Sequence, residues 1–449
     1  MSRRRPREIH RPSWTVADAF WRSAPLLILG LHGVLALLYN WATPFGNNGY
    51  ANTPDEGAHF QYVAYVARAW RLPRFEGYAG VGYEAHQPPL YYFLAALLYH
   101  LTGGEGKGVR LLSTLASAGV VWLTWLTLRR LLPHRPEVAL VGMGFVAFLP
   151  MHLAIGSAVG NDALTNLLFA SVLYGLLAMG SVGLGVLVGL ALLTKATAIL
   201  LLPVVAMGLL LKAQRSGAGW RAGVRQAGIA CGIALLIGGW WFLRNALLYD
   251  DPLLQKTFLN VFAGTAKAED FLKLGMSRAE YARLVADWTF RSFWFAYGTP
   301  RTAHTGVPNF LPDRIYLVLA IWQLMVLVGF VRILRGRSGS FSTGGITSGR
   351  GEPKSVSPGL QGETQEEGLQ NWLWTALFTF LLVLVSFVLF VRIFFQAQGR
   401  YFYPALVPIA VFNALGWDGL LPPRWRLVGH FALLLFWLLL SIGCMRYLG

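Results

Sequence analysis

Charge is what this chain has least of. Only 13% of its 449 residues are Asp, Glu, Lys or Arg, where a soluble domain carries roughly 25%. With 55% hydrophobic residues and a mean hydropathy of +0.49, the deficit excludes an ordinary soluble domain and implies a helical integral membrane protein. Cysteine is nearly missing as well. Cys231 and Cys444 are the two, both inside apolar runs, so no disulfide framework or zinc knuckle can be built from them. No phosphate-binding loop of Walker type is present, and no soluble nucleotide-sugar domain fits between the apolar runs. Acidic residues number 21 against 38 Lys and Arg, a net charge of +17. Nucleic acid is not the implied partner, because the basic residues fall in small clusters between apolar runs and not on one compact domain.

What the chain has is about eleven apolar stretches approaching the ~20 residues that cross a bilayer. They read as 24–41, 109–131, 138–158, 163–180, 182–197, 198–212, 226–243, 314–334, 371–391, 403–421 and 427–445. The fifth and sixth are short and meet near Lys195. The first is read as an uncleaved span, since it is long for a signal peptide and no small-x-small cleavage site follows. Basic clusters then set the orientation. They lie at Arg3–Arg11, at Arg129, Arg130 and Arg135, at Lys212, Arg215, Arg221 and Arg225, at Arg332, Arg335 and Arg337, and at Arg424 and Arg426. With the spans alternating as given, every cluster falls on one side, which the Lys/Arg bias of cytoplasmic loops makes the inside. The N-terminus is then cytoplasmic and the C-terminus outside.

The expected organisation is a basic cytoplasmic arm over 1–23 and a transmembrane module over 24–334 with outer loops 42–108 and 246–313. A cytoplasmic linker follows at 335–370, rich in Gly, Ser, Glu and Gln and so expected to be disordered. Transmembrane helices close the chain over 371–449. The outer face collects the unusual residues, so any chemistry is expected there.

Thr53-Pro54-Asp55-Glu56-Gly57-Ala58-His59-Phe60 opens the polar part of the first outer loop. Thr53 fits an N-cap, Pro54 the first helical position, and Glu56 the acidic partner of a T-x-x-E capping box. The helix should run to about Trp70 with Phe60, Val63, Ala67 and Trp70 as an apolar stripe in the interface plane. A second interfacial helix is expected after Pro88-Pro89, from Leu90 to about Leu101, its tyrosines in the aromatic belt. Asp55 can complement the helix dipole or act as a base. His59, one turn on, can pair with Asp55 or ligate a metal. A divalent metal among Asp55, Glu56, His59, Glu84 and His86 is possible but not demanded, since the spacing matches no tight signature. The later outer loop carries Trp288, Phe290, Phe293, Trp294, Phe295 and Tyr297 among several Lys and Arg. These aromatics fit either sugar stacking or an interfacial anchor.

Pro54-Asp55-Glu56-Gly57-Ala58-His59-Phe60 followed by His86-Gln87-Pro88-Pro89-Leu90-Tyr91-Tyr92 resembles the first outer loop of GT-C glycosyltransferases. The resemblance is to the protein mannosyltransferase and aminoarabinose transferase-like group, which uses polyprenyl-phosphate sugars. Gly160-Asn161-Asp162-Ala163-Leu164, Leu193-Thr194-Lys195-Ala196-Thr197, Trp241-Phe242-Leu243-Arg244-Asn245 with Asp251-Pro252-Leu253, and Gly399-Arg400-Tyr401 agree with it in order. It implies an all-α membrane fold and a glycosyltransferase acting at the outer face. Asp55 and Glu56 become the catalytic pair, with Asp55 the general base and Glu56 chiefly building the helix start. His59, His86, Gln87, Tyr91, Asn161, Asp162, Lys195, Arg244, Arg400 and Tyr401 become substrate-binding positions. Where aminoarabinose transferases resemble Glu-Lys-Pro, this chain has His86-Gln87-Pro88. The Lys helps those enzymes hold the lipid phosphate, and Gln87 brings no charge. The positive charge for a departing phosphate is therefore expected from Lys195, Arg244 and Arg400, near the outer ends of spans. The expected partners are a polyprenyl-phosphate-linked sugar, an acceptor that is protein, glycan or lipid, and membrane lipids. Two other readings stand beside this one. A lipid or sugar flippase would favour inverted repeats and mid-membrane ionisable residues, and a polysaccharide ligase-type transferase would use basic residues of the late outer loop.

Overall fold

A computed structural model describes residues 16–46, 53–298, 308–336 and 365–448. Most of the basic arm and of the 335–370 linker lies outside the described residues. Helices dominate, and among the described residues one two-stranded antiparallel ribbon pairs Ala296–Tyr297 with Asn309–Phe310. Each of the eleven apolar stretches falls on a helix or a pair of helices. Among the described residues seven helices are long and apolar enough to cross a membrane, or eight if the bent pair Pro136–Ala147 and Pro150–Gly156 is one span. The chain is a multi-pass membrane protein of all-α class, but eleven full spans are not reached. Asp162–Ala178 and Ser181–Leu192 are apolar and short. The latter, at 12 residues, covers only about 18 Å. Both pack within the bundle, and the turn after Leu192 carries Lys195.

The bend of 59° between Pro136–Ala147 and Pro150–Gly156 has a local cause. Pro150 has no N–H to give the Val146 carbonyl one turn back. His152 Nδ1 lies 2.9 Å from that carbonyl and His32 Nδ1 lies 2.8 Å from that of Ala147. Two buried imidazoles thus satisfy acceptors that the break releases into an apolar interior. Elsewhere small residues let backbones touch. A Cβ on Gly329 would sit 1.8 Å from the Gly416 carbonyl oxygen, so the helices Asp313–Gly336 and Leu406–Leu420 cross at a separation only glycine permits.

Glu56–Ala69 and Leu90–Leu101 form the two helices expected in the first outer loop. They pack on each other through Tyr62 and Tyr92, stacked at 3.7 Å. The buried face of the first centres on His59, Tyr62, Val63, Val66 and Ala67, while Trp70 is half exposed. The segment 246–313 forms the helices Gln255–Val261, Ala268–Lys273 and Arg278–Trp294. Its aromatic residues divide. Trp294 and Phe295 are core, with Trp294 stacked on Trp437 at 5.4 Å and edge-on to Phe145 at 6.1 Å. Neither is free to stack on a sugar.

Candidate active site

The helix start at Asp55 differs from the capping box read in the sequence. The residue before the helix is Asp55 itself, in the left-handed region at φ 61°, and its side chain makes no cap. A non-glycine residue held there costs of order 1 kcal/mol, a strain that Asp tolerates better than most. Thr53 is buried with its hydroxyl unpartnered. Glu56 does not reach back to it because a stronger partner holds it. Its carboxylate is 0% exposed and meets Arg110 twice, from Nε at 2.7 Å and from Nη2 at 2.6 Å. The backbone amides of Val159 and Gly46 donate to the same carboxylate at 2.9 and 3.0 Å. Arg110 spends its remaining donors on the carbonyls of Asn40, Thr43 and Pro44. This buried fork ties the first outer loop to two spans and turns Glu56 away from Asp55.

Asp55 faces the other way and is 30% exposed. Tyr83 donates its hydroxyl to Oδ1 at 3.0 Å, and Arg400 donates from Nη2 to Oδ2 at 3.2 Å. Arg400, 7% exposed, also pairs through Nη1 with Asp162, and Asp162 pairs with Lys195. The guanidinium lies 5.1 Å from the Tyr401 ring centre. Asp162 opens the Asp162–Ala178 helix, whose preceding Asn161 donates to Gln87 Oε1 and to the Thr194 carbonyl, each at 3.0 Å. Gln87 Nε2 is 3.1 Å from His86 Nε2, and His86 Nδ1 is 2.6 Å from the Tyr83 carbonyl. Residues from four distant parts of the sequence thereby close a ring of polar contacts around the exposed side of Asp55.

Behind the ring, His59 Nδ1 lies 2.7 Å from the Tyr92 hydroxyl and 3.7 Å from Glu84. Glu84 is buried with one carboxylate oxygen lacking a hydrogen-bond partner. Burial pushes its carboxyl above the usual range, against the pull of the His59 imidazole. Burial also holds His59 below its ordinary value and takes His86 down to about 4. Among the described residues no three of His, Cys, Asp and Glu are gathered so as to hold a metal ion. Tyr91 and Arg244 stand outside the ring. The Tyr91 hydroxyl accepts from the Gly160 amide and meets Ser113, fixing the approach to Asn161. Arg244 donates to the Pro73 carbonyl and lies over Trp241.

Residues 86–241, about a third of the chain, match the profile of the family described as Dolichyl-phosphate-mannose-protein mannosyltransferase. A search of curated proteins finds no match. Among solved structures, the oligosaccharyltransferase of Archaeoglobus fulgidus in its apo form superposes with a TM-score of 0.54 at 12% identity, over 97% of this chain and 57% of that one. The fold is that of a GT-C glycosyltransferase.

The same archaeal protein, AglB, solved with an inhibitory peptide and a dolichol-phosphate, gives 0.54 at 11% identity, over 96% of this chain and 56% of that one. ArnT from Cupriavidus metallidurans, solved with undecaprenyl phosphate, gives 0.41 at 15% identity, over 91% and 78%, too distant to weigh. The chain therefore spans a little over half the length of the archaeal enzyme. Within the GT-C fold, sequence reasoning missed Arg110 and Tyr83. Arg110 sat in plain view as a cation inside an apolar run, which is reason enough to look for a buried partner. The aromatic wall beside Asp55 was missed too. It is built by Tyr78 and Tyr83 with Phe258 and Phe262 of the later loop, Phe262 lying 5.9 Å from Tyr83 and Phe258 5.5 Å from His86.

Proposed function

We propose that this chain transfers a sugar from a polyprenyl-phosphate donor to an acceptor hydroxyl at the extracytoplasmic face, with Asp55 as general base. The observation that carries the reading is the Asp55 carboxylate itself. It is partly exposed, held in a strained backbone conformation, and gripped on one oxygen by Tyr83 and on the other by Arg400. Both contacts fix the direction of the carboxylate, and a general base must be held within reach of the proton it takes. In the proposed reaction the acceptor oxygen attacks the anomeric carbon as its proton passes to Asp55. The bond from that carbon to the phosphate oxygen breaks, and the lipid phosphate leaves with the electron pair. Lys195 and Arg400, joined through Asp162, would take up that charge. The fold-mate solved with dolichol-phosphate supports this class of carrier, and the matched mannosyltransferase profile supports glycosyl transfer. The aromatic wall offers faces for a sugar ring or the first isoprene units.

The test incubates purified protein with a polyprenyl-phosphate sugar and measures released polyprenyl phosphate. Asp55→Asn, compared at matched folding, should lower turnover by about 10²–10⁴. Unchanged turnover would refute Asp55 as the base. No turnover with any lipid-linked sugar, together with lipid flux in liposomes, would replace the transferase with a transporter.

A further inference from the structure

At the end of the bundle opposite Asp55, the helices Ser181–Leu192, Leu201–Arg215 and Gly219–Tyr249 line an open cavity of about 470 Å³. The direction of each helix fixes its position. The first ends and the second begins beside the Lys195 turn, and the third ends near Arg244, which reaches the first outer loop. The cavity lies at their other termini, about 18 Å along the Ser181–Leu192 helix from that turn.

Its polar wall consists of Lys212, Arg225, Gln226 and Ser181. Neither cation has an acidic partner among the described residues. Ser181 starts a helix whose preceding residue is Gly180, which has no side chain to cap it. The unpaired amides of that first turn therefore add partial positive charge on the same side. The other wall is apolar, made by Leu209 and by Met179 and Ile229, which are 42% and 41% exposed.

We propose that this cavity binds the phosphate headgroup of an anionic phospholipid from the leaflet opposite the Asp55 site. Lys212 and Arg225 hold the phosphate, Gln226 and the helix start donate to it, and the acyl chains run along Ile229 and Met179. Charge complementarity and the adjoining exposed apolar surface select this occupant. A soluble anion would gain the charge contacts but not the apolar wall. The inference is independent of the transfer reaction, and Asp55→Asn should leave it untouched.

Native mass spectrometry of the detergent-solubilised full chain provides the test, with phosphatidylglycerol and phosphatidylcholine as probes and inorganic phosphate as competitor. Phosphatidylglycerol should be retained preferentially, and Lys212→Gln with Arg225→Gln should weaken it about thirtyfold. The charge-preserving pair Lys212→Arg with Arg225→Lys should keep the preference, as should Arg221→Gln on the same helix end outside the cavity. The lipid-free thermal midpoint of each variant reports folding. Equal retention of the two lipids, an unchanged preference in the folded double Gln variant, or full displacement by inorganic phosphate would overturn the proposal.

Discussion

Glu56→Gln exchanges one oxygen for nitrogen at a fully buried position. The Glu56 carboxylate accepts four hydrogen bonds, two at each oxygen. Whichever way the Gln amide turns, its nitrogen meets two donors, one from Arg110 and one from a backbone amide. Arg110 keeps its charge at 0% exposure and loses its counter-ion. Removing one partner of such a pair costs about 3–5 kcal/mol, a large share of the 5–15 kcal/mol that holds typical folds together. Equilibrium unfolding in mixed detergent should show that loss. The survivors, normalised to folded protein, should retain turnover within a few fold. The apolar double replacement Glu56→Leu with Arg110→Met should recover part of the loss and not all, because the carbonyls of Asn40, Thr43 and Pro44 would lack their donor. Stability within about 1 kcal/mol of the parent, or a fall in turnover per folded molecule as deep as that of Asp55→Asn, would refute the division between a structural Glu56 and a chemical Asp55.

Tyr83→Phe removes one of the two bonds on Asp55 and should lower turnover about tenfold without loss of fold, as read by initial rates and thermal midpoint. Arg400→Lys cannot contact Asp55, Asp162 and Tyr401 together, so the apparent affinity for the lipid-linked donor should fall about tenfold in a titration of donor against rate. The imidazole of His86 stays neutral in the fold down to about pH 4, while an unfolded histidine takes a proton below about 6.5. Stability should therefore drop as pH falls from about 6.5 toward 4, by about 2 kcal/mol after allowance for partial exposure, and His86→Gln should flatten that part of the midpoint–pH curve. Gly399→Ala would place a methyl 2.2 Å from the Phe293 backbone nitrogen, and should cost about 1–3 kcal/mol in the same unfolding assay.

The apolar runs made the bundle legible, because a bilayer leaves a spanning chain little choice but helix. The run 90–101 was legible for a similar reason, with Pro88-Pro89 before it and an apolar, aromatic face after. Asp162, Lys195 and Arg400 were identifiable as ionisable residues at the ends of apolar runs. Their junction on one another was not, since Asp55 and Arg400 lie 345 positions apart. Glu56 shows how a local rule misleads. Thr53-x-x-Glu56 satisfies the capping pattern, yet Arg110, 54 residues on, supplies a buried charge that no capping bond can match. The late aromatics misled similarly: Trp294 and Trp437 face each other across two helices, and composition cannot tell a belt from a core.

Gly399 has one further consequence. Its amide donates to Ser292 Oγ at 2.8 Å, and four residues on the Tyr403 hydroxyl donates to the Phe293 carbonyl at 2.8 Å. Arg400 sits between these two clasps. The Arg278–Trp294 helix of the later outer loop therefore grips the segment that carries Arg400 as a hand grips a lever. With no side chain at Gly399, the backbone of that helix bears directly on the segment whose guanidinium holds the Asp55 carboxylate. Two loops that lie far apart in the chain thus meet at one clasp around Arg400.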